Sequence, residues 1–160
     1  MADVGAHLGV TSSDFVDGGY LDTRHSANAR GQCHGANLSP QLTWDGAPAD
    51  TVTFAITAID LSAGDWVHWV HANIPATVTS AATGASSTLP GVAGVTGAGT
   101  TGYFGPCPPG PDHKYEFTVW ALDSILTVPN LPTFAQFVNA AASHVLAQGT
   151  IVGLYFERKP

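Results

Sequence analysis

Thr51-Val52-Thr53-Phe54-Ala55-Ile56-Thr57-Ala58-Ile59-Asp60 is the stretch that decides the fold. Val52, Phe54, Ile56 and Ala58 alternate with Thr51, Thr53, Ala55 and Thr57, and a period of two marks a strand with one face toward a core. The same alternation carries Asp60 onto the apolar side.

Further strands flank this one. Trp66 to Ile74 is rich in aromatic and β-branched residues and is closed by Pro75, which cannot donate to a ladder. Strict alternation there sets Trp66, His68 and Val70 against Val67, Trp69 and His71. His113 to Leu122 places His113, Tyr115, Phe117 and Val119 on one face and Lys114, Glu116 and Thr118 on the other, so the second set is expected to meet water. Thr150 to Phe156 reads as a last strand. Pro132 and Thr133 open one helix, expected to run to Ala147 on Phe134, Phe137, Val138, Ala141 and Val145 and to end at Gly149. Before Asn37 the chain is polar and Gly-rich, with Phe15-Val16 and Tyr20-Leu21 as edge-strand candidates. Thr77 to Gly102 is a long loop of small residues.

At 160 residues the chain is one ordinary domain, read as spanning residues 1–160. Its 18 Gly and 11 Pro favour turns and short strands, and 44% hydrophobic residues exclude disorder. The expected class is therefore mostly β, an antiparallel sheet with a packed helix. Charged residues make up only 11% of the chain, against roughly 25% in an average protein. The net charge is −7, and Arg24, Arg30, Lys114, Arg158 and Lys159 are scattered. Nucleic-acid tracking and polybasic membrane binding need clustered cations, so neither partner is expected. No stretch is long and apolar enough to span a bilayer as a helix. The start, Met1 to Val10, has neither the basic nor the apolar region of a secretory signal, which points to the cytoplasm. The small surface charge leaves a homodimer open.

Three titratable side chains, Asp60, His68 and His113, fall near strand ends on the faces used for apolar residues. Each can be an isolated polar residue satisfied by backbone groups. A buried carboxylate or imidazole is costly unless paired, however, so one shared site accommodates all three best, with Asp60 orienting an imidazole. Trp66 and Tyr115 share those faces and supply an aromatic wall beside them. Gly105-Pro106-Cys107-Pro108-Pro109-Gly110-Pro111 carries four prolines, so it is a rigid loop able to close the pocket. His68 and His71 are three apart, which on a regular strand sends them to opposite faces, a poor chelate; no metal is expected. Nor does any nucleotide-binding or serine-hydrolase signature occur, and no cofactor is expected.

Several blocks together resemble the phosphatidylethanolamine-binding protein family, in its bacterial and archaeal Raf-kinase-inhibitor-like branch. They are Asn37-Leu38-Ser39-Pro40-Gln41-Leu42-Thr43-Trp44, Gly46-Ala47-Pro48, Trp66-Val67-His68-Trp69 with Asn73-Ile74-Pro75, and Gly102-Tyr103-Phe104-Gly105-Pro106-Cys107-Pro108-Pro109 followed by His113-Lys114-Tyr115. The resemblance covers about Asn37 to Arg158. It implies a central antiparallel sheet with a second, smaller sheet and one or two flanking helices, around a small cavity for phosphate, phosphoryl head groups, acetate or similar anions. Carried over by motif, Asp60, Trp66, His68, Gly105, Pro109, His113 and Tyr115 would line that cavity. One departure is that the family's Asp-Pro-Asp-x-Pro stretch reads Asp60-Leu61-Ser62-Ala63 here, without the second Asp or either proline. The resemblance also brings the blocks flanked by Cys33 and Cys107 near the pocket, where a disulfide is conceivable. Two reduced, buried thiols in a cytosolic protein are the expectation.

Three functions compete. One is a non-enzymatic binding module, regulatory in role, in which an anion docks on His68 and His113 while Asp60 sets the tautomers. Another is an enzyme in which Asp60, His68 and His113 are catalytic acid/base groups, suited to isomerisation, cyclisation or dehydration since no activated nucleophile is evident. A third, permitted by the resemblance, is inhibition of a protease or kinase through the 77–102 loop.

Overall fold

The computed structural model describes residues 6–29 and 31–157. Eleven strands and one α-helix follow one another as β1 (Ala6–His7), β2 (Gly9–Thr11), β3 (Asn28–Ala29), β4 (Cys33–His34), β5 (Leu42–Asp45), β6 (Thr53–Asp60), β7 (Trp66–Pro75), β8 (Ser80–Ala81), β9 (Val92–Ala93), β10 (His113–Leu122), α1 (Phe134–Ala141) and β11 (Val145–Tyr155). The large sheet runs β1-β11-β10-β6-β7-β9, a smaller one β2-β5-β8, and β3 pairs with β4. All pairs are antiparallel except β1 with β11, so the large sheet is mixed.

Both faces of the large sheet are covered. Phe54, Ile56, Phe117, Val119 and Ile151 pack on one side against Trp44 and Leu42 of the small sheet and on Leu8 and Phe15. Ala55, Val70, Ala72 and Leu122 pack on the other against Phe137 and Ala141 of α1. The helix starts where Thr133 forms a capping box, its hydroxyl accepting the Gln136 N–H at 3.1 Å while the Gln136 side chain accepts the Thr133 N–H at 2.9 Å.

Several expectations are corrected. The helix stops at Ala141 instead of continuing to Ala147, and Val145 to Tyr155 form the longest strand, antiparallel to β10. Gly149 does not end a helix but lies within β11, where an added Cβ would collide with the Leu8 carbonyl. Thr118, expected in water, is buried and sits between Thr57 and Thr150 in register. Strict alternation also fails in β7, because a bulge interrupts its pairing with β6 between Ala58 and Ile59. Beyond the bulge Trp69 packs with the first core and Val70 with the second, so Val70 does not share the side of Trp66 and His68. Phe15-Val16 forms no strand, and Tyr20 is an isolated bridge to Leu154 instead of part of a strand.

Candidate functional site

The polar floor is a row across three central strands. Asp60 of β6 is directly opposite Tyr115 of β10 on one side and Trp66 of β7 on the other. His113, two residues before Tyr115, reaches the same carboxylate, donating its Nδ1–H to Asp60 Oδ2 at 2.7 Å. The other Asp60 oxygen accepts the Ser62 N–H at 2.9 Å, while Ser62 Oγ accepts the Lys114 N–H at 3.0 Å. The Leu61-Ser62-Ala63 departure thus rebuilds the rim with a serine that braces both the carboxylate and the start of β10.

His68 lies at the bulge, and its Nδ1–H donates to the Phe104 carbonyl at 2.6 Å. Since both Nδ1 atoms face oxygens with no proton to give, both must carry hydrogen, and the Nε2 atoms of His68 and His113 remain for a ligand. Burial pushes the His68 imidazole below its ordinary value; the Phe104 carbonyl and the Asp60 charge oppose that shift and the His113 charge adds to it. Burial likewise pushes the Tyr115 phenol far up, with the Asp60 charge adding to the effect. The Tyr115 hydroxyl is buried without a hydrogen-bond partner among the described residues.

Aromatic rings close the sides. His68 lies 4.6 Å from Trp66 and 5.1 Å, edge-on, from Tyr115 between ring centres, and Phe104 stands 5.7 Å from Trp66. The cavity, open to solvent on one side, is about 310 Å³, and Gln32, Cys107, Pro108 and Pro109 complete its wall. Asp60, Trp66, His68, Pro109, His113 and Tyr115 all line it. Gly105 does not. It supports the wall from behind, pressed so closely on residues 25–27 that a Cβ would meet Ser26 C and Ala27 N at 2.6 Å. Its N–H donates to Asn37 Oδ1 at 2.7 Å, and Asn37 Nδ2 donates to the Tyr103 carbonyl at 3.0 Å. Asn37, with φ of 55°, and Phe104 are thus supports that the motif blocks contained but residue-type reasoning did not single out. Ala29, Gln32 and Ala63 also face the cavity and carry no signal in the sequence.

Cys33 and Cys107 are joined in a disulfide across 74 residues, with Cα atoms 5.8 Å apart, which overturns the expectation of two reduced thiols. Cys33 lies on β4, whose pairing with β3 spans only two residues and is too short to be read from periodicity. Among the described residues no group of three or more His, Cys, Asp or Glu is arranged to hold a metal, and His71 donates its Nε2–H to the Pro90 carbonyl at 3.1 Å.

The model of the phosphatidylethanolamine-binding protein family matches residues 11–156. The chain belongs to that family. Among its relatives in the family is a UPF0098 protein of Methanothermobacter thermautotrophicus, 36% identical over 88% of this chain and 93% of its own length. The Escherichia coli UPF0098 protein YbcL is 43% identical over 71% of this chain and 67% of its own. The crystal structure of YbcL, described as a new member of the mammalian family, superposes with a TM-score of 0.87 at 36% identity, covering 96% of this chain and all (100%) of that one. A homolog from Chlamydia trachomatis gives a TM-score of 0.84 at 28% identity, covering 95% and 99%. The candidate lipoprotein LppC of Mycobacterium tuberculosis is 34% identical over 92% of this chain and 72% of its own. The family's ligand-binding fold is therefore this chain's fold, and no described helix is long and apolar enough to cross a membrane.

Proposed function

We propose that the protein binds a small ligand carrying a phosphoryl or carboxylate group, seated on the Nε2 atoms of His68 and His113. The carrying observation is that both Nδ1 atoms are already committed, to Phe104 and to Asp60, inside a cavity whose lining, among the described residues, holds no Lys or Arg. A neutral imidazole bonded in this way offers a lone pair at Nε2, so an anion is held only together with a proton, on the ring or on the ligand itself. Protonated forms such as a phosphate monoanion or a phosphomonoester suit the site, and affinity should rise as pH falls.

The test is calorimetric titration with inorganic phosphate, phosphoethanolamine and acetate. His113→Ala removes one charge-assisted bond and should weaken binding about tenfold or more. Equal affinity in the wild type and His113→Ala, or tighter binding at higher pH, would overturn the reading. The Asp60–His113 pair also has the form of an oriented acid/base, which favours isomerisation, cyclisation or dehydration as the second reading. Turnover of a small neutral compound that is abolished in His113→Ala would select it. A protease or kinase partner stays with the family resemblance and a homodimer with the small surface charge, tested by inhibition assays and sedimentation respectively. The disulfide favours an oxidising compartment over the cytoplasm, since such bridges persist where thiols are not kept reduced.

A further inference from the structure

The Cys33–Cys107 bridge stands between two hollows. On its inner side Cys107, Pro108 and Gln32 face the cavity that holds Asp60, His68 and His113. On its outer side Cys33 and Cys107 line a second groove with Gly31, Gly110 and Glu157. Cys33 is buried at 2% exposure, whereas Cys107 is partly open to solvent. The segments it joins also meet at the Ala27 N–H, which donates to the Pro106 carbonyl at 3.0 Å, but beyond Pro106 the wall is lightly held. β3 and β4 are two residues each, a ladder too short to be stable alone. Among the described residues, 107–111 makes no backbone hydrogen bond, three of those five being proline.

We propose that this bridge is a thiol–disulfide exchange site through which a dithiol reductant opens the cavity wall and weakens ligand binding. A thiolate of the dithiol attacks the accessible Cys107 Sγ, the Cys33–Cys107 bond breaks, and Cys33 leaves as a thiolate that takes a proton. The second thiol of the reductant then attacks the mixed disulfide and releases Cys107 as a thiol. Two electrons and two protons pass to the cysteine pair, and the dithiol ends as a disulfide. Pro108 and Gln32, which both line the cavity, are then no longer cross-linked through the bridge. The effect on affinity rests on the anion-binding reading above, whereas the opening of the wall does not.

The experiment compares native protein before and after dithiothreitol, with near-ultraviolet circular dichroism to confirm that the fold persists and Cys33→Ser as a second route to the open form. Phosphate affinity should fall about fivefold or more on reduction, and amide exchange at Phe104 and Gly105, whose N–H groups are bonded to His68 and Asn37, should quicken in both opened forms. A bridge that dithiothreitol leaves intact in native buffer, or a reduced protein with unchanged exchange at those amides, would overturn the proposal. Oxidised and reduced forms that bind phosphate equally would overturn its link to the ligand. If neither form binds phosphate, the anion reading fails, and the exchange rates alone decide the opening of the wall.

Discussion

His68 and Phe104 are hydrogen-bonded twice: the Phe104 N–H donates to the His68 carbonyl at 2.8 Å, and the His68 Nδ1–H donates to the Phe104 carbonyl at 2.6 Å. The pairing stitches the proline-rich wall to the central sheet and fixes the tautomer of a cavity-facing ring. Nitrogen-15 NMR should therefore find His68 as the Nδ1–H tautomer at pH 7, with Nε2 unprotonated. An Nε2–H tautomer would contradict the geometry on which the anion reading stands.

Burial lowers the His68 and His71 imidazoles below their ordinary value in the folded chain. As the pH falls through about 6.5 and below, the unfolded chain takes up protons that these two folded sites refuse. More protons bound to the unfolded state means stability that is present above that range and lost on acidification. Urea unfolding between neutral and mildly acidic pH should show a falling midpoint; a midpoint that rises over the same interval would count against both burial assignments.

The Tyr115 hydroxyl is buried beside the Asp60 carboxylate without a well-aligned hydrogen bond among the described residues. Tyr115→Phe should therefore change stability by no more than about 1 kcal/mol, because no well-formed hydrogen bond is lost and the ring is unchanged. A denaturation midpoint that drops markedly in the variant would mean that this hydroxyl has a bonded role. A ligand affinity that drops while stability does not would assign the hydroxyl to the ligand.

Gly105 has backbone on the side where a Cβ would stand, at Ser26 and Ala27 and at the His25 carbonyl. Backbone cannot swing away as a side-chain tip can, so Gly105→Ala should cost about 3 kcal/mol. Chemical denaturation measures it. A cost near zero would show that the wall is more yielding than its hydrogen bonds to Asn37 suggest.

Local pattern carried much of this. The period of two in 51–60 and 113–122 placed Asp60, His113 and Tyr115 on the core face, and β10 has the bounds expected of it. The failures share one cause, contacts made by distant chain. Ala147, Gly149, Ile151, Gly153 and Tyr155 alternate as buried positions of β11, yet the helical spacing before them and the glycines hid that repeat until β10 supplied a partner. The bulge in β7 and the Cys33–Cys107 bridge are likewise properties of pairs that no window along the sequence contains.

The floor and the wall of the cavity come from different kinds of backbone. Asp60, Trp66 and Tyr115 stand in one row on the central strands, where any shift would disturb both cores. Gln32, Pro108 and Pro109 belong to short or irregular segments cross-linked by a single covalent bond. Replacing the latter residues would reshape the mouth of the cavity at little cost to folding, whereas the Asp60 row beneath would stay in place. The cross-linked rim is therefore the part of this plan most open to change.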